Sequence, residues 1–167
     1  TYTSGGLLTD KTEPDSDTSE YAYNQYGRIT DNYDEHGGHW QFARYAQDNG
    51  TIVTSVETGE NNITKYKDYH HSTGKYTSTI TGPAGGETDY ARSADGLSVN
   101  KDLSCGMDLQ FKYDVDPVYK FDYVEKMTET TPSGLTKTTE KDVSYEDTDS
   151  NDRPDLITRN QTVNAKT

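Results

Sequence analysis

Cysteine is almost missing from this chain. Cys105 stands alone among 167 residues, so no internal disulfide framework can form. Long apolar runs are missing too. Only 29% of the residues are hydrophobic and mean hydropathy is -1.07. No stretch approaches the roughly 20 apolar residues that a membrane-spanning helix needs. Basic charge is scarce, with 16 Lys and Arg against 29 Asp and Glu and a net charge of -13. That balance withholds the basic footprint on which nucleic-acid binding rests. No segment sustains a 3.6-residue apolar period with caps, which argues against a helical domain. No signal-peptide pattern is visible. The chain starts at Thr1 without Met, as a piece cut from a longer protein would.

What is present points to strands. Low hydrophobicity with high charge is the composition of disorder, but disordered chains are poor in aromatics. Here there are 14 tyrosines, and threonine is abundant throughout. Both favour the pleated, half-buried surface of a sheet. The core must be thin, with tyrosine rings and threonine methyls supplying much of the apolar contact. Stacking of neighbour on neighbour suits such a chain better than one deep core.

The order within the chain is periodic. Tyr21-Ala-Tyr-Asn-Gln-Tyr-Gly27-Arg28-Ile29-Thr30 reads as strand, tight turn and strand. Gly27, Gly50, Gly74 and Gly96 each close a polar turn, with gaps of 23, 24 and 22 residues. Tyr2, Tyr23, Tyr45, Tyr66, Tyr90 and Tyr113 run at gaps of 21, 22, 21, 24 and 23. A fixed period of this length is the signature of a repeat array. Residues 1–20 read as a short N-terminal strand, Tyr2 to Leu8, followed by an acidic linker around Pro14. Residues 21–167 read as a single all-β domain of hairpin repeats. Short turns imply antiparallel pairing of about a dozen strands. Asp114-Val-Asp-Pro117 should break a strand. Val118 to Thr131 then reads as one long strand, and Asp155 to Val163 as the last.

The repeated unit resembles the Rhs or YD-repeat family. Its hairpin carries Tyr-Asp-x-x-Gly-Arg-Leu-Thr, and the nearest counterpart here is Tyr23-Asn-Gln-Tyr-Gly27-Arg28-Ile29-Thr30. Looser copies are Tyr45 to Ile52, Tyr69 to Lys75, and Tyr90 to Leu97. Tyr145 to Pro154 looks like a copy with a swollen turn, and Tyr113-Asp114 keeps the dipeptide alone. The resemblance spans residues 20 to 165. It implies repeated antiparallel β-hairpins forming a curved or ribbon-like sheet, with repeats that are scaffold and carry no chemistry. It also implies a bacterial cell-surface or extracellular setting, with neighbouring repeats of a longer parent chain as partners.

Several constellations are candidates for more than scaffolding. Trp40, Phe42, Tyr66, Tyr69, Tyr113, Tyr119 and Tyr123, with Phe111 and Phe121, would make a face for a glycan or a partner protein if exposed. Packed against each other, they are the core of the sheet. Asp147, Asp149, Asn151 and Asp155 have the opening spacing of a calcium loop. Asp152 stands where that loop needs glycine, and Thr158 where it needs a bidentate Glu. A solvated turn with no cofactor is the plainer reading. His36 and His39 flank two glycines, while His70 and His71 point to opposite faces of a strand. Neither pair completes a zinc set. Cys105 has no base beside it. Asp114 and Asp116 would share a strand face, a pairing that glycosidases use but that so acidic a chain produces by chance. Nothing here assembles a catalytic group, and the expectation is a protein that is not an enzyme. A carbohydrate- or protein-binding module of adhesin type is the alternative to pure scaffold.

Overall fold

The computed structural model describes residues 1–146 and 158–166, with side chains through Tyr145. The described residues hold thirteen strands. The first six are β1 (Asp10–Thr12), β2 (Thr18–Tyr23), β3 (Ile29–Tyr33), β4 (His39–Ala46), β5 (Ile52–Thr58) and β6 (Ile63–His70). They are followed by β7 (Tyr76–Thr81), β8 (Glu87–Arg92), β9 (Ser98–Asp102) and β10 (Asp108–Val115). The last are β11 (Asp122–Thr130), β12 (Thr136–Glu146) and β13 (Thr158–Lys166). The chain divides into two compact units, one of Thr1–Tyr69 with Thr79–Gly86, the other of His70–Ser78 with Glu87–Thr167. β7 contributes to both.

In the first unit β1 to β6 pair in sequence order, each antiparallel to the next. In the second unit β8 to β13 do the same. Each is an open meander, and the expectation of antiparallel hairpins holds. Locally, three readings change. The strand expected from Tyr2 to Leu8 is instead the turn at Thr3, across which Tyr2 and Leu8 meet in an isolated antiparallel bridge, because Gly6 reverses the chain there. The stretch 10–20, expected as an acidic linker, contains β1 and the start of β2 around a tight turn at Glu13–Asp17. Thr12 and Thr18, opposite each other there, are strand formers that outweigh the acids beside them. The long strand expected from Val118 begins only at Asp122, because the chain first reverses around Asp116.

One turn recurs. Its first residue accepts a bond from the N–H of the fourth and donates its own N–H to the carbonyl of the fifth. It begins at Thr3, Glu13, Asn24, Asp34, Gln47, Thr58, His71, Gly82, Leu103 and Thr131, and at Ser93 with one residue more before the closing carbonyl. The fourth residue always has positive φ. Nine of these are glycines, with φ from 73° to 89°, and the others are Ser16 and Asn61. This is a type I turn ending in a left-handed residue, a hairpin form that suits the right-handed strand twist. The starts at 3, 24, 47, 71 and 93 have gaps of 21, 23, 24 and 22, and those at 13, 34, 58, 82 and 103 have gaps of 21, 24, 24 and 21. The tyrosine and glycine period is therefore two turns long.

The first turn residue explains the Tyr-Asn or Tyr-Asp pattern. Asn24 Oδ1 accepts from the N–H groups of Tyr26 and Arg28 at 2.9 and 3.1 Å. Asp34 Oδ1 accepts from His36 and Gly38 at 2.9 and 2.7 Å. Each side chain thus satisfies turn donors that the sheet leaves free.

Burial is sparse. Val53 (2% exposed), Val99 (7%) and Tyr123 (9%) are the buried hydrophobics among the described residues. Val53 lies between Tyr45 on β4 and Lys67 on β6, and Val99 between Arg92 on β8 and Phe111 on β10. Lys101 Nζ lies 5.9 Å from the ring centroids of both Tyr90 and Phe111, so its stem runs along their apolar surface. Stability then rests on cross-strand pairs worth roughly 0.2–1 kcal/mol each.

The turns predict a graded set of substitutions. A Cβ at Gly85 (φ +80°) meets nothing within 4 Å, whereas one at Gly74 (φ +89°) comes 3.3 Å from the Cβ of Ala94 in a neighbouring turn. Gly85→Ala should lose about 1–2 kcal/mol to backbone strain alone, and Gly74→Ala should lose more. Gly5→Ala, at an ordinary φ, should be near neutral. Urea denaturation of the three variants reads the ranking.

Candidate functional site

The repeat is broken after the Leu103 turn, and the break is built around a buried carboxyl group. After the turn at Ser93, the next start in that series is Asp116, 23 residues on. Here the loop is longer. The Lys120 N–H donates to the Asp116 carbonyl at 3.1 Å, and the Asp116 N–H donates to the Phe121 carbonyl at 2.9 Å. The left-handed position falls on Lys120, φ 59°, rather than on a glycine. Its ammonium turns back to donate to the Pro117 carbonyl at 2.7 Å.

Asp116 is 0% exposed. Its Oδ1 accepts from the N–H groups of Val118 and Tyr119 at 3.0 and 2.8 Å, and its Oδ2 accepts from the Tyr145 hydroxyl. Buried carboxylates require this kind of satisfaction. The loop is consequently held from both its own backbone and β12. On it stand Tyr119 and Phe121, 55% and 46% exposed, with ring centroids 6.3 Å apart and planes 20° from parallel. The edge of the Tyr145–Tyr119 pair closes the cluster, with centroids 5.9 Å apart at 74°. Large rings fixed at the surface by a satisfied polar network are the makings of a binding anchor.

Tyr123 lies beneath. Its hydroxyl donates to Asp114 Oδ2 at 3.3 Å, and Lys141 Nζ sits 5.5 Å from its ring centroid. Burial, then the Asp114 carboxylate, pushes the Tyr123 phenol above its ordinary value of 10.0. Tyr123 is therefore packing rather than surface. Tyr113, on β10, is half-buried. Asp114 and Asp116 do not form the carboxylate pair the sequence suggested. Asp114 is exposed within β10, whereas Asp116 lies past the strand end and serves its own loop.

In the first unit the register brings Trp40, Phe42 and Tyr66 to one sheet face, and Tyr69 lies on the other. Trp40 is 43% exposed and Tyr66 36%. Beside them on the opposite face, His39 stacks on Tyr33 with centroids 4.0 Å apart and planes 5° from parallel. Its Nε2 is 3.1 Å from Asp31 Oδ1, which also accepts from Gln41 Nε2 at 3.2 Å. Burial raises the Asp31 carboxyl, but bonds from His39, Thr30 and Gln41 outweigh it and hold it below the ordinary value. His36 is exposed nearby, His70 lies against the Tyr76 ring, and His71 bonds Thr77. No three His, Cys, Asp or Glu side chains gather for a metal among the described residues. Asp147, Asp149, Asn151 and Asp155 lie outside those residues. Cys105 is exposed in the Leu103 turn. Gly27, Gly50, Gly74 and Gly96 are all fourth residues of the recurrent turn, and Arg28 is a fifth.

Two parts of the cluster escaped the sequence reading, the anchoring role of Asp116 and the part of Tyr145. The Asp-Pro dipeptide was the one available signal for the first. Comparison with protein-family models and with curated proteins finds no match to this chain.

The network sets expected outcomes. Asp116→Ala leaves two N–H groups and a hydroxyl without their acceptor and should cost about 3 kcal/mol in urea denaturation. Tyr145→Phe removes one bond and should cost about 1 kcal/mol. In the first unit, the contribution of Asp31 is fully present above the unfolded carboxyl value near 3.8 and lost as pH falls through its lower folded value. Asp31→Asn should therefore flatten the acid limb of a stability–pH profile below about pH 4. The raised Tyr123 phenol acts at the other end. Its contribution persists below pH 10.0 and is lost as pH climbs through the higher folded value, so Tyr123→Phe should flatten the alkaline limb.

Proposed function

We propose that this chain is a non-catalytic structural segment of a YD-repeat-like cell-surface or secreted bacterial protein, a scaffold for a shell or for display. The carrying observation is the two-turn unit that returns every 21–24 residues from Thr3 to Leu103. Nine of the eleven recurrent turns place glycine fourth, and those at Asn24 and Asp34 also place Asn or Asp first, as the Tyr-Asp-x-x-Gly-Arg pattern does. A sheet with three buried hydrophobic residues among those described gains its burial from adjoining strands. That favours a role in which further repeats of a parent chain are its partners and the winding is ribbon-like or curved. A protein of this kind needs no cofactor.

The second reading is a carbohydrate- or protein-binding β-module of adhesin type. One observation favours it, the exposed Tyr119 and Phe121 rings on a loop that departs from the repeat.

Two measurements test the scaffold reading. Native-state hydrogen exchange on the full chain should give opening free energies that change gradually from strand to strand, as neighbour-coupled arrays do. A single uniform opening energy would count against it. Antibody labelling of intact cells of the encoding organism should find the protein at the surface or in the medium. Signal only after lysis would remove the surface assignment.

A further inference from the structure

We propose that Asn62 is the attachment site of an N-linked glycan and that the first sugar lies against Trp40. This rests on the cell-surface or secreted reading above and goes beyond it by naming a modification. Three observations lead to it.

The residues make an acceptor. Asn62-Ile-Thr64 is the Asn-x-Thr pattern, in which a transferase holds the hydroxyl while the asparagine amide reacts. Two other copies, Asn49-Gly-Thr51 and Asn160-Gln-Thr162, are worse placed. Thr51 is buried, and its N–H holds the Asn49 Oδ1 at 3.0 Å. Asn160 lies within β13, opposite Ser144. Asn62, by contrast, is exposed as the fifth residue of the Thr58 turn, and Thr64 is half-buried at the start of β6.

The amide is presented to solvent. The preceding Asn61 takes the left-handed position, φ 59°, so Asn62 follows the point of reversal directly. Its Nδ2 donates to Glu60 Oε2 at 3.3 Å, a bond between two exposed side chains that water readily replaces. An exposed polar turn is where bulky, solubilising glycans are carried.

There is also a seat for the sugar. A cavity of about 450 Å³ adjoins the turn, and His39, Trp40, Thr58, Gly59, Glu60 and Asn62 are among the residues that line it. That lies within the roughly 300–1,000 Å³ of ligand clefts. Trp40 is 43% exposed. An indole face receives the C–H face of a sugar ring by burial and weak polarity. A sugar joined to Asn62 needs little affinity of its own, because attachment raises its concentration beside the indole.

The bond formed joins Asn62 Nδ2 to C1 of the sugar. The bond broken is C1–O of a glycosyl diphosphate carried on a lipid or a nucleotide, and the diphosphate leaves with the electron pair. The proton that the amide nitrogen gives up goes to a base of the transferase.

The test is peptide mass mapping of the full chain purified from the encoding organism. A sugar mass increment on the peptide holding Asn62 is expected, a single sugar from a nucleotide donor or an oligosaccharide from a lipid donor. The increment should vanish in Asn62→Gln and in Thr64→Val, which keeps a β-branched residue in β6. Trp40 is the single tryptophan, so its fluorescence reads the seat. Acrylamide should quench it less in the glycosylated chain than in Asn62→Gln, and equal quenching would overturn the contact with Trp40. Unmodified Asn62 on protein that antibody labelling finds at the cell surface would overturn the site and leave the surface reading standing. Unmodified Asn62 on protein detected only after lysis would overturn both.

Discussion

Reversal of the chain at a left-handed residue is the constraint on which this structure depends. An L-residue with a Cβ resists positive φ, so each turn needs glycine or a small polar residue at one position. Of the twelve residues with positive φ among those described, eleven are fourth residues of the same turn. The spacing of those residues sets strand length, and strand length sets which side chains face each other. At Gly38 the limit is spatial rather than conformational, since a Cβ would sit 2.2 Å from the Asp34 carboxylate that caps the turn.

Within this frame the sheets manage with little enclosed surface. Val53 is flanked by Tyr45 and Lys67, and Val99 by Arg92 and Phe111, on the strands either side. Ion pairs such as Lys112–Glu125 at 2.7 Å and Lys126–Glu140 at 2.9 Å lie largely in water, which screens them. Their larger effect is to discourage pairing in other registers. Tyrosine serves such a sheet well because its ring covers neighbours while its hydroxyl finds a partner. Tyr23 does this by donating to the Leu8 carbonyl at 2.8 Å.

The loop at Asp116 inverts that economy. At Asn24 and Asp34 the side chain of the first turn residue serves exposed or part-buried donors. Here the same role is taken by a carboxylate with 0% exposure, and the bond from Tyr145 reaches it from a strand 29 residues away. A long-range tie of this kind turns a local reversal into a fixed presentation of two rings. The scaffold and binding readings are therefore compatible in one molecule, since a repetitive sheet supplies rigidity and a single departure supplies a surface.

How much of this was legible beforehand follows from range. Turn position, strand class and the 21–24-residue period are local properties, because φ preference and side-chain capping act within five residues. The sequence alone determined these at Gly27, Gly50, Gly74 and Gly96, but read a strand through the turn at Thr3 and a linker over the one at Glu13. It misplaced Val118–Phe121 as strand, because the capping power of Asp116 cannot be seen without knowing that its carboxylate is buried. Tyr113, Tyr119 and Tyr123 are alike in the sequence, yet one is half-buried, one exposed and one inside. Only the tertiary structure decided among them. A register shift between Lys112 and Tyr113 and the bond from Tyr145 set which ring faces water, and both depend on strands that are distant in the chain.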